Sequence, residues 1–137
     1  MRKWLILSMV VLIMMMLSAC SNHSVEQNKD RMILTIKNNA DFDFYAIEIG
    51  TAETYGGISN ADGSKIKKED TLSKEYADQE DFDLEGVAMF NFFLIVGEGN
   101  RIPLDKVTLE LAPNREYFFE ISGDSIDGAR LKRVEGA

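Results

Sequence analysis

Apolar residues fall at every second position in several short runs of this chain. Val107, Leu109 and Leu111 alternate with Lys106, Thr108 and Glu110, and Tyr117, Phe119 and Ile121 alternate with Phe118, Glu120 and Ser122. Period two places side chains on one face of a strand, so both runs predict half-buried strands. Pro113-Asn114-Arg115 lies between them and carries turn chemistry, which predicts a hairpin over 106–122. Ala129 to Val134 predicts a last strand with Leu131 inward.

Upstream, Met32 to Ile36 is short and β-branched, and Asn38-Asn39 ends it. Phe42 to Ile49 predicts a strand with Tyr45, Ile47 and Ile49 on one face and Phe44, Ala46 and Glu48 on the other. Ile58 and Ile66 bracket turn-rich Asn60 to Gly63 and predict a small hairpin. The segment around Leu72 and Tyr76 fits a short helix or an edge strand; its β-like surroundings favour the strand. Val87 to Val96 (VAMFNFFLIV) is continuously apolar and predicts a strand covered on both faces, where a buried Asn91 needs a hydrogen-bond partner. Gly97 to Asn100 is a turn, and Pro103, without an N–H, predicts an edge or a bulge.

About seven short strands separated by Gly, Asn, Asp and Pro turns predict an all-β fold. The expected architecture is an antiparallel β-sandwich of immunoglobulin-like arrangement over residues 31–137, without the Cys…Trp…Cys core of antibody domains.

The first 20 residues follow a different rule. Met1-Arg2-Lys3 is positive, Trp4 to Met16 is uncharged and apolar, and Leu17-Ser18-Ala19 leads into Cys20. A charged start, an apolar centre of roughly 7–15 residues and a small-residue ending describe an export signal. By length alone the segment fits either a cleaved leader or an uncleaved anchor, because a span needs about 20 apolar residues. The ending favours the leader: Leu17-Ser18-Ala19-Cys20 resembles the lipobox of bacterial lipoprotein precursors. That resemblance implies a diacylglyceryl thioether on Cys20, cleavage after Ala19, and a mature chain starting at lipidated Cys20. It also implies residence at the cell membrane, anchored on the extracytoplasmic face. A serine directly after the cysteine, Ser21, does not ask for inner-membrane retention in that class. Ser21 to Asp30 is polar with one aliphatic residue, Val25, and reads as a flexible tether over 20–30.

Charge narrows the partners. The chain has 15 basic and 23 acidic residues, for a net charge of −8. Without residues 1–19, which carry Arg2 and Lys3, the balance is more acidic still. Such a surface repels phosphate backbones, so no nucleic-acid partner is expected. Membrane association then rests on the lipid at Cys20. Cys20 is the only cysteine, which precludes an internal disulfide. His23 is the only histidine and lies in the tether, so the domain lacks the residue for a His-based metal cage or a Ser-His-Asp device.

Several groups invite chemistry. Asn60, Asp62, Gly63, Ser64 and Glu69 partly match an EF-hand loop, but Ile58 falls on its first ligand position; an Asp-Gly turn explains them better. Glu80, Asp81, Asp83 and Glu85 read as the solvated face of a strand whose other face is Phe82 and Leu84. Asp124 and Asp127 form a possible acid–base pair, and flanking Gly123 and Gly128 favour a plain turn. Aromatic residues lie on both faces of the strands, which makes Phe42, Phe44 and Phe118 candidates for an outward partner surface. The expected protein is therefore non-enzymatic: a lipid-anchored binding or accessory module with an unidentified protein partner, no metal and no cofactor. A carbohydrate- or calcium-dependent envelope module is the alternative, and a carboxylate hydrolase a distant third.

Overall fold

The computed structural model describes residues 30–136. Residues 1–29, and with them the signal peptide, Cys20 and the tether, lie outside the described residues. Nine strands follow in order: β1 (Arg31–Asn38), β2 (Ala46–Gly50), β3 (Tyr55–Ser59), β4 (Thr71–Ala77), β5 (Val87–Ile95), β6 (Arg101–Pro103), β7 (Val107–Glu110), β8 (Arg115–Ser122) and β9 (Arg130–Val134). They form two sheets, as the all-β sandwich requires. One has the order β4-β1-β8-β9; the other has β3-β2-β5-β6, with β7 also on β5. All pairs are antiparallel except β1–β8, which runs parallel with Leu34 opposite Tyr117 and Ile36 opposite Phe119.

Alternation sets the core. Met32, Leu34, Ile36, Tyr117, Phe119, Ile121 and Leu131 point inward from the first sheet, and Ile47, Ile49, Phe90, Phe92, Leu94 and Leu109 from the second. A file of rings crosses between the layers. Phe82 contacts Tyr76 at 5.1 Å between centroids, Tyr76 contacts Phe90 at 5.9 Å, and Phe92 contacts Phe119 at 5.5 Å. Each such pair, tilted or edge-on, adds about 0.5–1.5 kcal/mol beyond its buried area.

Five sequence expectations need correction. The small hairpin between Ile58 and Ile66 does not form: Ile58 lies in β3 opposite Ile47 of β2, and Ile66 bridges to Phe44. The 106–122 hairpin does not form: β7 pairs with β5 in the second sheet, whereas β8 pairs with β1 and β9 in the first. The chain crosses between sheets through 111–114, so Leu111 and Tyr117 enter the same core from opposite layers. The Tyr117 hydroxyl pins this arch by donating to the Glu110 carbonyl at 2.7 Å. Within 42–49, the alternation slips by one. Phe44 bridges to Ile66 and is buried, Tyr45 donates to the Ile95 carbonyl and is exposed, and Ile47 is buried again. Strand β5 is covered on one face only, with Phe90, Phe92 and Leu94 inside and Val87 and Met89 exposed. The acidic 80–85 segment is a loop. Asp81 accepts from the Ala77 N–H and Asp78 from the Leu84 N–H, both at 2.8 Å, which holds Phe82 and Leu84 in the core.

Other expectations hold. The 71–77 segment is a strand, and Leu131 is inward. Pro103 lies on an edge beside a bulge: Phe93 faces Pro103 and Phe90 faces Val107, so one extra residue sits between β6 and β7. Asp105, in that bulge, accepts from the Leu131 N–H at 3.0 Å and ties the exposed edge of β9 to the opposite sheet.

Asn38 is the one buried polar residue among the described residues. Its amide donates to the Phe42 and Ile66 carbonyls at 3.2 and 3.3 Å and accepts from the Ala40 N–H at 3.0 Å. Replacement by Ala deletes three hydrogen bonds and leaves the buried Ala40 N–H unpaired, so Asn38→Ala is expected to cost about 3 kcal/mol in urea unfolding.

Burial, with the Asp81 carboxylate second, pushes the Tyr76 phenol well above the usual tyrosine range. The unfolded chain ionises this group at about pH 10 while the folded chain keeps it neutral. Its contribution is therefore complete below that pH and is lost as pH rises toward the folded value. Tyr76→Phe is expected to flatten the alkaline limb of the stability curve, measured by urea midpoints across the alkaline range.

Candidate functional site

The expected aromatic surface is not where the side-chain pattern put it. Phe44 is a core residue, 1% exposed, because the register slip turns it inward against Ile66. Phe42 is half-buried, packed against the core and 6.4 Å from the Phe44 ring. Phe118 does lie on the outer face of the first sheet, opposite Thr35 and Val134, but the C-terminal segment at Gly136 lies against its ring. These three residues do not form one surface.

An outward pair of rings in mutual contact lies instead on the second sheet. Tyr55 on β3 and Phe93 on β5 are 6.5 Å apart, and the Arg101 guanidinium lies over both, 5.1 Å from the Tyr55 centroid and 3.9 Å from that of Phe93. Arg101 also pairs with Glu48, to which the Tyr55 hydroxyl donates at 3.2 Å. Gly50 makes this possible: any side chain there would occupy the space of the Tyr55 ring. The guanidinium already covers the ring faces that a sugar would stack on.

A groove of about 660 Å³ adjoins this cluster. Thr51, Ala52 and Glu53 form one wall, Val87 to Met89 the other, and Phe82, Asp83, Glu85 and Leu111 close it. Its origin is local. Strand β2 stops at Gly50, opposite Asn91. The next residue, Thr51, uses its hydroxyl to accept from the Glu53 and Thr54 N–H groups at 3.2 and 3.1 Å, and its own N–H donates to the Thr54 carbonyl. This hydroxyl-capped turn diverts the chain into β3. Strand β5 continues for four residues past the end of β2, so the groove occupies the missing length of the neighbouring strand.

Val87, 68% exposed, and Met89, 51% exposed, are among the largest apolar side chains left outside the core. Three carboxylates, Glu53, Asp83 and Glu85, border them. Neither Val87 nor Met89 had stood out in the sequence, because both sit inside a run that reads as wholly buried.

The remaining candidates are accounted for by local structure. Asn60 donates to the Ser64 and Lys65 carbonyls, and Asp62 accepts from the Ser64 N–H, so the EF-hand-like residues are spent on a turn. Among the described residues, no three His, Cys, Asp or Glu side chains cluster to hold a metal. Asp124 and Asp127 are both exposed at a short 3₁₀ turn, Ile126–Gly128. Nearby Lys68 pairs with Asp41 and holds that carboxyl below its ordinary value.

No protein-family model and no curated protein matches the chain. Among solved structures, it is similar to a protein from Eubacterium rectale determined by NMR, at TM-score 0.48 and 8% identity, covering 81% of this chain and 95% of that one. It is also similar to intermedilysin, solved with human CD59, at TM-score 0.41 and 12% identity, and to pneumolysin, at TM-score 0.40 and 10% identity. These matches cover 78% and 77% of this chain, which spans 24% of each toxin chain.

Arg101→Ala removes an exposed ion pair and two ring contacts and leaves the sheet ladder intact. The expected loss is about 1 kcal/mol in urea unfolding, smaller at high salt.

Proposed function

We propose that this protein is an exported, lipid-anchored binding module of the bacterial cell envelope, non-enzymatic and directed at a protein partner. The observation that carries the reading is the groove on the second sheet, where apolar side chains stand exposed beside the missing length of β2. Apolar exposure of this kind on a compact domain is a mark of an interaction surface. The anchoring rests on the Leu17-Ser18-Ala19-Cys20 ending. Two acyl chains on Cys20 hold a protein stably to a bilayer, at about 0.8 kcal/mol per buried methylene. Tethering raises the local concentration of domain and membrane partner, so modest affinity suffices.

The carbohydrate alternative has less support, since Arg101 occupies the outward ring faces. Calcium has less still, since the loop at Asn60 to Ser64 turns its oxygens on itself.

The test is metabolic labelling with a clickable fatty acid, followed by in-cell crosslinking. The wild-type chain is expected to carry label, lose residues 1–19 and crosslink to a defined protein. Cys20→Ala is expected to lose label and crosslink together. An unlabelled wild-type product with residues 1–19 attached refutes the anchor.

A further inference from the structure

We infer that the groove beside β5 is a strand-addition site that takes an extended peptide segment of alternating basic and apolar residues. This rests on the binding-module reading and specifies what that module binds.

The first ground is the backbone. In β5, even-numbered residues turn their N–H and C=O groups toward β6 and β7: Phe92 accepts from the Leu104 N–H, and Gly86, just before the strand, accepts from the Leu111 N–H. Odd-numbered residues turn theirs toward β2: Ile95 accepts from the Tyr45 N–H. Asn91 is the last odd residue with a β2 partner, Gly50. Val87 and Met89 therefore direct their N–H and C=O groups into the groove, where no described residue bonds them. An open strand edge with its partner line vacant is the geometry that peptide β-strand addition uses. The vacancy spans Val87 to Phe90, which at about 3.4 Å per residue fits a strand of about four residues.

The second ground is the side chains. An incoming strand alternates its faces. Residues on its outer face would lie beside Val87 and Met89, and those on its inner face would meet Ala88, Phe82 and Leu111. The inner contacts favour apolar groups; on the open outer face a lysine stem covers Val87 and Met89 while its ammonium reaches the rim. The rim is anionic, with Glu53 on the β2 side and Asp83 and Glu85 on the other, and no basic residue lines the groove. Charge complementarity therefore selects lysine or arginine at rim positions. It also disfavours a second copy of this chain on the same edge, because two acidic rims would meet. The chain's own segment 21–29 has one aliphatic residue, Val25, and carries Glu26 against Lys29, a poor match to this groove.

The test uses the full chain in detergent with synthetic peptides. The probe is acetyl-Lys-Val-Lys-Val-Lys-Val-amide, with a Glu-for-Lys counterpart and a copy with a central proline. The expected result is binding of the basic peptide at least about tenfold tighter than either control, weakened in about 0.5 M NaCl. Amide exchange at Val87 and Met89 is expected to slow by about tenfold with the basic peptide bound. Met89→Pro removes one groove-facing donor and leaves the β7 ladder intact, because the Met89 N–H points away from β7. It is expected to abolish binding. The triple variant Glu53→Lys, Asp83→Lys, Glu85→Lys, which leaves the backbone alone, is expected to reverse the preference toward the acidic peptide.

Binding without protection of Val87 and Met89, equal binding of all peptides, or a triple variant with unchanged preference overturns the proposal. So does sedimentation as a dimer that Met89→Pro dissolves, or basic-peptide binding that appears only once residues 21–29 are deleted. The titration does not depend on the lipid, so its failure and a failure of fatty-acid labelling are separately readable.

Discussion

One buried amide holds the sandwich in its present connectivity. Asn38 ends β1, and its side chain reaches the Phe42 and Ile66 carbonyls and the Ala40 N–H. Its backbone adds two more ties, donating to Asp70 and accepting from Glu69. Five bonds thus fasten the end of β1 to the start of the crossover toward β2 and to the segment entering β4. The pairing of β1 with β4, which shares no turn with it, depends on this fastening. An unpaired amide at this depth would cost about 1–3 kcal/mol per group, which disfavours arrangements that leave these partners elsewhere. The same knot accounts for the register slip: Phe44 must turn inward to bridge Ile66, whose carbonyl Asn38 already holds.

Period two told which face of a strand is buried, and it did so well for β7, β8 and β9. It carries no information on which strand lies alongside, and the errors follow from that. Leu109 and Phe119 alternate as hairpin neighbours would, yet they enter the core from opposite sheets, because alternation is identical for a hairpin and for an arch. The parallel β1–β8 pair joins residues far apart in sequence and leaves no local trace. The 80–85 segment has the alternation of a strand because Phe82 and Leu84 are both buried, but Asp78 and Asp81 use their carboxylates on backbone N–H groups and bend it.

The site was less legible than the fold, for a related reason. Tyr55 stands among turn residues, and Phe93 inside an apolar run, so neither is marked as outward until the sheet is assembled. The groove is defined by something missing, the length of strand that β2 does not supply. Its one sequence cue is Thr51, which follows the apolar strand and precedes two residues whose N–H groups its hydroxyl accepts. A threonine in that position is too common to single out.

The groove is not a separate feature laid on the sandwich; it is where the ring file of the core reaches the surface. Phe82 lines the groove and packs on Tyr76, which packs on Phe90, so what seats in the groove contacts the inter-sheet core directly. The described chain begins at this same end, since Asp30 accepts from the Asp78 N–H, and the Asp78 carboxylate holds Leu84 two residues beyond Phe82. Under the proposed lipid anchor, the ten residues from Ser21 to Asp30 set the distance between bilayer and groove, at most about 33–36 Å when fully extended. Where the facing leaflet is anionic, an acidic domain is repelled within about one Debye length, roughly 8 Å, and the same field gathers cationic segments of neighbouring proteins. Repulsion would then hold the domain off the surface while attraction would concentrate basic segments in the gap. Under that anchor an anionic groove at the tethered end would face such segments, which adds to the open backbone edge of β5 as a reason to read it as a docking edge.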